Sequence, residues 1–442
     1  MSARSTASAA GTTVADPVAA LAGACAAVRP GGPEDEVRGI VPAAVAAPAT
    51  VAEASELLRA AAGHGLAILP RGTGTRLACG PPPARCDLVV DTTRLDQIIE
   101  HAAGDLVVRV QAGLPVGALG EALAKAGQQL ALDTGGTVGG TVGGLIATGA
   151  AGPRRLRYGT PRDLLIGITI VLADGTVASS GGKVVKNVAG YDLGKLFAGS
   201  LGTLGLIAEA AFRLHPLPAA AGYVTAAYES AAGALDRIQE AIGSQLVPSA
   251  AEIDRPAPGA PVSVALLLEG SHEAVPERLA RMRDILGPDA QAGAAPPPWW
   301  GASPAGTGGT LLRIAFPAGS LARVLDAADE AAAHAGAHQA GVMLSPVIRG
   351  SAGAGVLKAG LDAGTSPDAV RSFVADLRRH LATPADWGDL PSGSVTVVRA
   401  PDDVRRAADA WGPVPAIRLM RAVKDQFDPG HVMSPGRFAG GF

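Results

Sequence analysis

Residues 70–75 read PRGTGT, which places two glycines, two hydroxyl side chains and one cation within six positions. Gly72 and Gly74 permit positive φ and close approach of another group, so successive backbone N–H groups can form a nest for an anion. The arginine and the two threonine hydroxyls would add further donors. The segment predicts an anion-binding loop, and an ordinary turn at a strand end is the alternative.

Two nucleotide-binding templates fit this loop only in part. A Walker loop needs Gly-x4-Gly-Lys-Ser/Thr, and no such run follows Pro70. The dinucleotide pattern G-x-G-x-x-G begins at Gly72 and Gly74 but meets Leu77 at the third glycine position. These six residues by themselves therefore leave the anion unidentified.

Two further segments could contact a ligand. Residues 135–152 read GGTVGGTVGGLIATGAAG and contain no charge, so their backbone could lie flush against a flat group. Apolar residues recur through that stretch, which a solvated linker would not need. Downstream, Lys186, Asn187 and Tyr191 are the best polar candidates to bind a substrate carboxylate. The alternative is that they only attach a helix to the domain.

The elements around these segments predict a mixed α+β organisation. Thr50 and Glu53 have capping-box spacing at the start of a helix that leads into the strand Ala67–Leu69 and the loop. Asp174-Gly175 is a hairpin turn between two short strands. Residues 16–28 predict a short helix.

The chain divides into four predicted parts. After residue 218 short strands alternate with amphipathic helices, and a cationic helix ends at Asp428-Pro429-Gly430. The predicted parts are an N-terminal tail and short helix (1–34), a first α+β domain (35–218), a cap-like α+β domain (219–400) and a C-terminal segment returning to the first domain (401–442).

Composition argues against several function classes. The net charge of −3 supplies no basic field for nucleic acid or anionic lipid, and no run approaches the roughly 20 apolar residues of a membrane span. The N-terminus lacks the apolar region of a secretory signal. Three scattered cysteines without a CxxC pair predict neither a disulfide framework nor an iron–sulfur cluster. His334 and His338 share a helix face, but we predict surface histidines and no metal site.

The order of four strings resembles the FAD-binding domain of the vanillyl-alcohol-oxidase (PCMH) type of flavoprotein: PRGTGT, GGTVGG, YGTPRDLLIG and KNVAGYDLGKLFAGSLGTLGLIAE. The last two strings are most similar to the smaller FAD-binding subunits, or E subunits, of bacterial three-subunit glycolate oxidases. The resemblance covers residues 37–218 strongly and the DPGHVMSPGR tail moderately. It implies an α+β fold in which an FAD domain of two α/β subdomains carries a smaller α+β cap-like domain.

The resemblance implies FAD as cofactor, with backbone amides of the first loop around the pyrophosphate. No histidine adjoins that loop, so the FAD is expected to be non-covalent. Ser434 stands where an asparagine is common in the family's tail motif. The cofactor-binding residues implied are Pro70, Arg71, Gly72, Thr73, Gly74, Thr75, Thr141, Gly143, Gly144, Thr148, Gly152, Tyr158, Gly159, Gly202, Gly205 and Ile207.

The function implied is oxidation of glycolate, a small 2-hydroxy acid, to glyoxylate. Partners would be a catalytic FAD subunit and an iron–sulfur subunit that passes electrons to membrane quinone. We expect a cytoplasmic protein that meets the inner face of the membrane only through that complex. The paired histidines and glutamate of the sister catalytic subunit have no counterpart here, so electron relay or a structural role is favoured. A free-standing oxidase of another hydroxy acid or alcohol, and a scaffold with an empty flavin site, are the alternatives.

Overall fold

The structure is a computed structural model that describes residues 16–133, 139–182, 192–339, 341–383 and 391–442. Its strands are β1 (Val28–Pro30), β2 (Ala44–Ala46), β3 (Ile68–Arg71), β4 (Leu88–Asp91), β5 (Ile98–Ala102), β6 (Val107–Gln111), β7 (Gln128–Gln129), β8 (Leu165–Val171), β9 (Val177–Gly181), β10 (Leu206–Arg213), β11 (His215–Pro216), β12 (Ala220–Tyr228), β13 (Ala250–Arg255), β14 (Val262–Gly270), β15 (Gln291–Gly293), β16 (Thr310–Ala315), β17 (Val347–Ser351), β18 (Val356–Leu361) and β19 (Ser394–Arg399).

The helices alternate with these strands and cover the sheets. They are α1 (Pro17–Leu21), α2 (Val51–Gly63), α3 (Val116–Ala124), α4 (Val142–Thr148), α5 (Arg155–Tyr158), α6 (Pro161–Leu164), α7 (Gly194–Phe197), α8 (Ala231–Gly243), α9 (Ala274–Leu286), α10 (Leu321–Ala335), α11 (Pro367–Ala382), α12 (Asp402–Ala407) and α13 (Ile417–Phe427). Among the residues described, no helix is both long and apolar enough to cross a bilayer.

The first sheet has the order β1-β2-β4-β3, with β2, β4 and β3 parallel and β1 antiparallel to β2. Helix α2 packs on it with an apolar face that includes Leu57 and Leu58. Thr50 Oγ1 accepts from the Glu53 N–H at 3.1 Å, as a capping box requires. The second half of that prediction is wrong, because the Glu53 carboxylate accepts from the N–H groups of Ala26 and Ala49, each at 2.7 Å.

The second sheet is antiparallel with the order β5-β6-β10-β8-β9. The predicted hairpin between β8 and β9 is confirmed: Gly175 has φ of +83° and the Leu172 N–H donates to the Thr176 carbonyl at 2.9 Å. Helices α3 and α4 share the core of this sheet. Strand β10 also contributes Leu206 and Ala208 to the core of the first sheet, so the two sheets form one packed unit.

The third sheet has eight antiparallel strands in the order β15-β12-β14-β13-β17-β18-β16-β19. Helices α8 to α11 pack against one face, where Ile253, Phe373 and Leu325 belong to a single apolar core. Because side chains alternate along a strand, Glu252 and Asp254 of β13 lie on the opposite face from Ile253. At β13, β17 and β18 that opposite face meets residues 151–155.

The C-terminal segment adds a short strand-like stretch to the first sheet. The Ile68 N–H donates to the Val432 carbonyl at 2.7 Å, and the Ser434 N–H donates to the Ile68 carbonyl at 2.8 Å. Lys424 of α13 is fully buried and its Nζ lies 2.6 Å from both Asp428 Oδ2 and the Thr203 carbonyl. This segment therefore joins the first sheet to the turn before β10.

Two element boundaries differ from those predicted. The helix expected over residues 16–28 is only Pro17–Leu21, because Val28–Pro30 pairs with β2 as a strand. Strand β3 continues to Arg71 instead of ending at Leu69, since Pro70 and Arg71 pair with Val90 and Asp91. A proline is tolerated there because β3 is at the edge of its sheet. The mixed α+β fold class is confirmed.

Candidate functional site

A cleft of about 880 Å³ opens between the end of β3, helix α4 and the turn that leads into β10. It brings together most of the residues implied as cofactor-binding, which come from three distant parts of the chain. Those that line the cleft are Pro70, Arg71, Gly72, Thr73, Gly74, Thr75, Thr141, Gly143, Gly144, Thr148, Gly202, Gly205 and Ile207. Their role as FAD contacts remains a prediction.

The loop that follows β3 presents donors to this cleft. Within the described ranges, the backbone N–H groups of Gly72, Thr73, Gly74 and Thr75 have no hydrogen-bond partner. Gly74 has φ of +78°, and Thr73 Oγ1 donates to the Gly139 carbonyl at 2.7 Å, which fixes the loop beside α4. Unpaired N–H groups in succession are the arrangement that binds an anion such as a phosphate.

Gly72 allows the loop to touch helix α4. A Cβ at this position would overlap Thr141 Oγ1 and lie 2.8 Å from Thr141 Cγ2. The glycine is thus required by packing between two walls of the cleft, which the sequence did not indicate. The loop conformation depends directly on the N-cap residue of α4.

The N-terminus of α4 itself offers few donors. The N–H groups of Val142 and Gly143 donate to the carbonyls of Leu114 (3.0 Å) and Ala112 (2.7 Å). The Gly144 N–H donates to Thr141 Oγ1 at 3.2 Å. Because the first turn is already satisfied within the protein, an anion in this cleft would take its hydrogen bonds from residues 72–75.

Arg71 has a structural role for its side chain. Its guanidinium lies within 3.2 Å of the carboxylates of Asp35 and Asp91 and is largely buried. Asp35 also accepts from Arg29 at 2.6 and 2.8 Å, and the Arg29 guanidinium holds the pKa of Asp35 well below its usual range. The Arg71 side chain therefore anchors the loop to Asp35 and Asp91, and its role as an additional donor for the anion remains a prediction.

Three predicted residues lie away from the cleft. The Tyr158 hydroxyl donates to Glu269 Oε2 of β14 at 2.9 Å, and Gly159 ends α5 with φ of +81°. Gly152 lines a second cavity, described below. The candidates Lys186, Asn187 and Tyr191 lie outside the described residues.

The second cavity, of about 390 Å³, lies between residues 151–155 and the third sheet. Its charged side chains are Arg155, Glu252, Arg349 and Lys358. Glu252 is 4% exposed, and burial raises its pKa to about 8. No sequence pattern singles out Glu252, because the cavity around it is formed by strands that are distant along the chain.

We expect Glu252 to make stability fall as the pH rises. Its folded-state pKa lies above the ordinary value of 4.5, so the stabilisation is complete below about pH 4.5 and is lost as the pH passes about 8. The Ser351 side chain, Arg155 and Lys358 favour its ionised form and Asp133 disfavours it, but burial outweighs the three groups that favour ionisation. Between pH 5 and pH 8 the melting temperature of Glu252→Gln should fall less than that of the parent protein. An equal fall in the melting temperatures of both proteins would contradict the assignment.

Several cleft residues were missed by the sequence interpretation. They are Arg76, Leu77, Thr92, Val116, Gly140, Leu145, Ala147, Leu201, Leu206 and Arg437. Arg437 belongs to the SPGR tail string, and its guanidinium donates to the carbonyls of Leu77 (3.0 Å) and Cys79 (2.8 Å). Ser434, in the same string, is buried beneath Gly202 and lies outside the cleft lining.

His334 of α10 and His338, which follows that helix, do not belong to a metal site among the described residues. His334 Nδ1 pairs with Asp376 of α11, a partner that the local sequence did not reveal. In the part of the chain that the structure describes, no group of three or more histidine, cysteine, aspartate or glutamate residues could hold a metal ion.

Comparison with known proteins identifies the cofactor of the first domain. Residues 42–181 match the protein family described as "FAD binding domain". The FAD cofactor predicted from the sequence is thereby confirmed. The match includes the loop at 72–75, helix α4 and the β8–β9 hairpin.

Relatives match between about two fifths and half of the chain. The glycolate oxidase subunit GlcD of Bacillus subtilis is 36% identical over 217 residues, which are 49% of this chain and 46% of that protein. A D-2-hydroxyglutarate dehydrogenase of Xanthomonas citri is 34% identical over 40% of this chain and 38% of its own length. A D-lactate dehydrogenase of Archaeoglobus fulgidus is 34% identical over 39% of this chain and 38% of its own length. The match spans less than half the length of each relative.

Solved structures share the fold over most of the chain. Alkyldihydroxyacetonephosphate synthase superposes with a TM-score of 0.65 over 90% of this chain and 77% of its own, at 17% identity. p-Cresol methylhydroxylase superposes with a TM-score of 0.64 over 90% of this chain and 88% of its own, at 16% identity. The likeness therefore extends through the third sheet as well as the FAD-binding domain.

Proposed function

We propose that this chain is an FAD-dependent oxidoreductase that acts on 2-hydroxy acids. The observation that carries the proposal is the row of unpaired N–H groups at residues 72–75, within a cleft of about 880 Å³ in the domain that matches the FAD-binding family. Three relatives that match 39% to 49% of this chain are named for glycolate, D-2-hydroxyglutarate and D-lactate, which are all 2-hydroxy acids.

The described residues fit a dinucleotide. Unpaired backbone N–H groups would hold the pyrophosphate, and the glycine-rich face of α4, including Gly144, would lie along the extended cofactor. Gly202 and Ile207 form the opposite wall. Bound FAD would supply hydride acceptance, while these residues bind it and exclude water. No histidine is among the described residues of the cleft, in keeping with non-covalent FAD.

We further propose that glycolate is the substrate and that the chain acts as an FAD-binding subunit of a glycolate oxidase complex. Similarity to a glycolate oxidase subunit supports this, together with the string resemblance to the E subunits. In this proposal electrons pass to an iron–sulfur subunit, a second FAD subunit is catalytic, and the complex meets the membrane on its cytoplasmic side. A free-standing hydroxy-acid oxidase is the second candidate, which the cations of the second cavity favour.

The test is anaerobic reduction of the flavin in the purified, FAD-loaded chain by glycolate, D-lactate or D-2-hydroxyglutarate. Bleaching of the flavin absorbance in the isolated chain supports a free-standing oxidase, whereas bleaching only in the complex purified from its host supports an FAD-binding subunit. Complete inertness of both the free chain and the complex would overturn the oxidoreductase proposal. Acid precipitation should release all flavin into the supernatant. Co-purification with an iron–sulfur protein supports the complex, and its failure in the host would refute that finer claim.

A further inference from the structure

A row of cations crosses the third sheet at the second cavity. Arg349 of β17 lies directly opposite Lys358 of β18, and Lys358 lies directly opposite Arg313 of β16. Directly opposed residues in antiparallel strands project from the same face, where like charges destabilise the pairing. Arg313 is exposed and lies outside the cavity lining, so Arg349 and Lys358 are the two cations of this row that require compensation within the protein.

The protein supplies only part of that compensation. Asp254, opposite Arg349 on β13, accepts from its Nε at 2.7 Å. Lys358 Nζ has no hydrogen bond or ion pair with any described residue, although burial penalises its charge and lowers its pKa. The acid that lines the cavity, Glu252, is held largely neutral because burial raises its pKa. A positive charge is left in the cavity without a matching carboxylate.

A further cation enters from the FAD-binding domain. Arg155 donates through Nε to the Gly152 carbonyl at 3.2 Å and through Nη2 to the Ala151 carbonyl, which orients its guanidinium at the cavity. Its Nη1 has no partner among the described residues. Two cations with unused donors thus border the same cavity from its two walls.

Two neutral polar groups complete the lining. Glu252 and Ser351 are directly opposite on β13 and β17 and are each less than 5% exposed. The Ser351 side chain faces the Glu252 carboxylate and favours its ionised form, but Glu252 Oε1 and Ser351 Oγ each lack a hydrogen bond of good geometry in the described part of the chain. A buried polar atom without a partner is costly, so both atoms are available to a ligand that carries hydroxyl as well as charged groups.

We propose that this cavity is a binding site for a small carboxylate, with Lys358 and Arg155 holding the carboxylate group and Glu252 and Ser351 facing its hydroxyl. The inference rests on the proposed function, whose substrates are 2-hydroxy acids, and it names where the acid is held. Residues 147–155 support the assignment, because Ala147 and Thr148 line the FAD cleft while Ala151 to Pro153 line this cavity. The carboxylate site thus adjoins the cofactor cleft along one short segment.

Calorimetric titration of the full-length, FAD-loaded protein with oxalate, an unreactive small carboxylate, tests the site. Lys358→Met and Arg155→Met should each raise the oxalate Kd by about 10- to 100-fold, since each removes a charge-assisted hydrogen bond. Lys358→Arg should keep Kd within about threefold of the parent value because the charge remains. Arg371→Met, at an exposed position on α11, is the matched control and should leave Kd unchanged. Flavin content and melting temperature identify any variant that is misfolded.

The outcomes separate this inference from the proposed function. Absence of oxalate binding by the parent protein, or equal Kd values in Lys358→Met and Lys358→Arg, would overturn the site even if 2-hydroxy acids bleach the flavin. Tighter binding of inorganic phosphate than of oxalate, with the same dependence on Lys358, would overturn the carboxylate class. Oxalate binding that depends on both cations supports the site, including in a chain whose flavin no 2-hydroxy acid reduces.

Discussion

Replacement of Gly72 by alanine is expected to remove FAD from the purified protein. The added methyl group would overlap Thr141 Oγ1, so the loop at 72–75 must move away from α4 and its N–H groups must leave their common direction. Overpacking of this kind costs about 1–3 kcal/mol, which corresponds to roughly 5- to 150-fold weaker FAD binding. The ratio of flavin to protein absorbance after purification, and titration of the apoprotein with FAD, measure the loss.

A matched control is available at Gly120, which is exposed on helix α3. No atom lies within 4 Å of the position that a Cβ would take there, so Gly120→Ala should retain its FAD and be slightly more stable. Because the predicted effect of Gly72→Ala arises from a clash with the Thr141 side chain, the additional change Thr141→Gly should recover part of the FAD binding. Full flavin content in Gly72→Ala would show that the loop is not the pyrophosphate site.

Replacement of Lys424 by methionine should destabilise the protein by about 3–5 kcal/mol, because it leaves the Asp428 carboxylate buried without its cation. The loss extends beyond the pair. Lys424 Nζ also donates to the carbonyls of Thr203 and Met433, at 2.6 and 3.0 Å, so both would lose a charged donor. Thr203 lies between the two glycines that wall the FAD cleft, and weaker FAD retention should accompany the lower stability. Urea unfolding followed by circular dichroism gives the free energy of unfolding.

The exposed pair Arg237–Glu240 on α8 provides the comparison. Arg237→Met removes an ion pair that is about half exposed, and such pairs contribute about 0–1 kcal/mol. The double variant Lys424→Met with Asp428→Asn should recover part of the lost stability, since no unpaired charge remains. If Lys424→Met and Arg237→Met unfold at the same urea concentration, the buried pair does not hold the segment in place.

The sequence was informative where chemistry is local. The turn at Asp174-Gly175 predicted the hairpin, and the glycines of 70–75 predicted a loop whose N–H groups are unpaired within the described residues. The string order predicted FAD, and the alternation of short strands and helices predicted the α+β class. Each of these signals depends on backbone preferences within a few residues.

The sequence was uninformative where a residue's role depends on distant partners. The sequence around Arg71 did not reveal that its guanidinium pairs with Asp35 and Asp91, which lie on other elements. Glu53 had capping-box spacing, yet the chain before β1 competes successfully for its carboxylate. The cations of the second cavity became neighbours only through the register of β16, β17 and β18.

The hydrogen bonds between Ile68 and residues 432–434 have a consequence for biosynthesis. More than three hundred residues separate these two stretches, so a growing chain emerging from the ribosome exposes β3 long before the residues that complete its edge are made. Nascent chains arrested before Lys424 should consequently capture little flavin, and cofactor loading should follow release of the polypeptide rather than accompany its elongation.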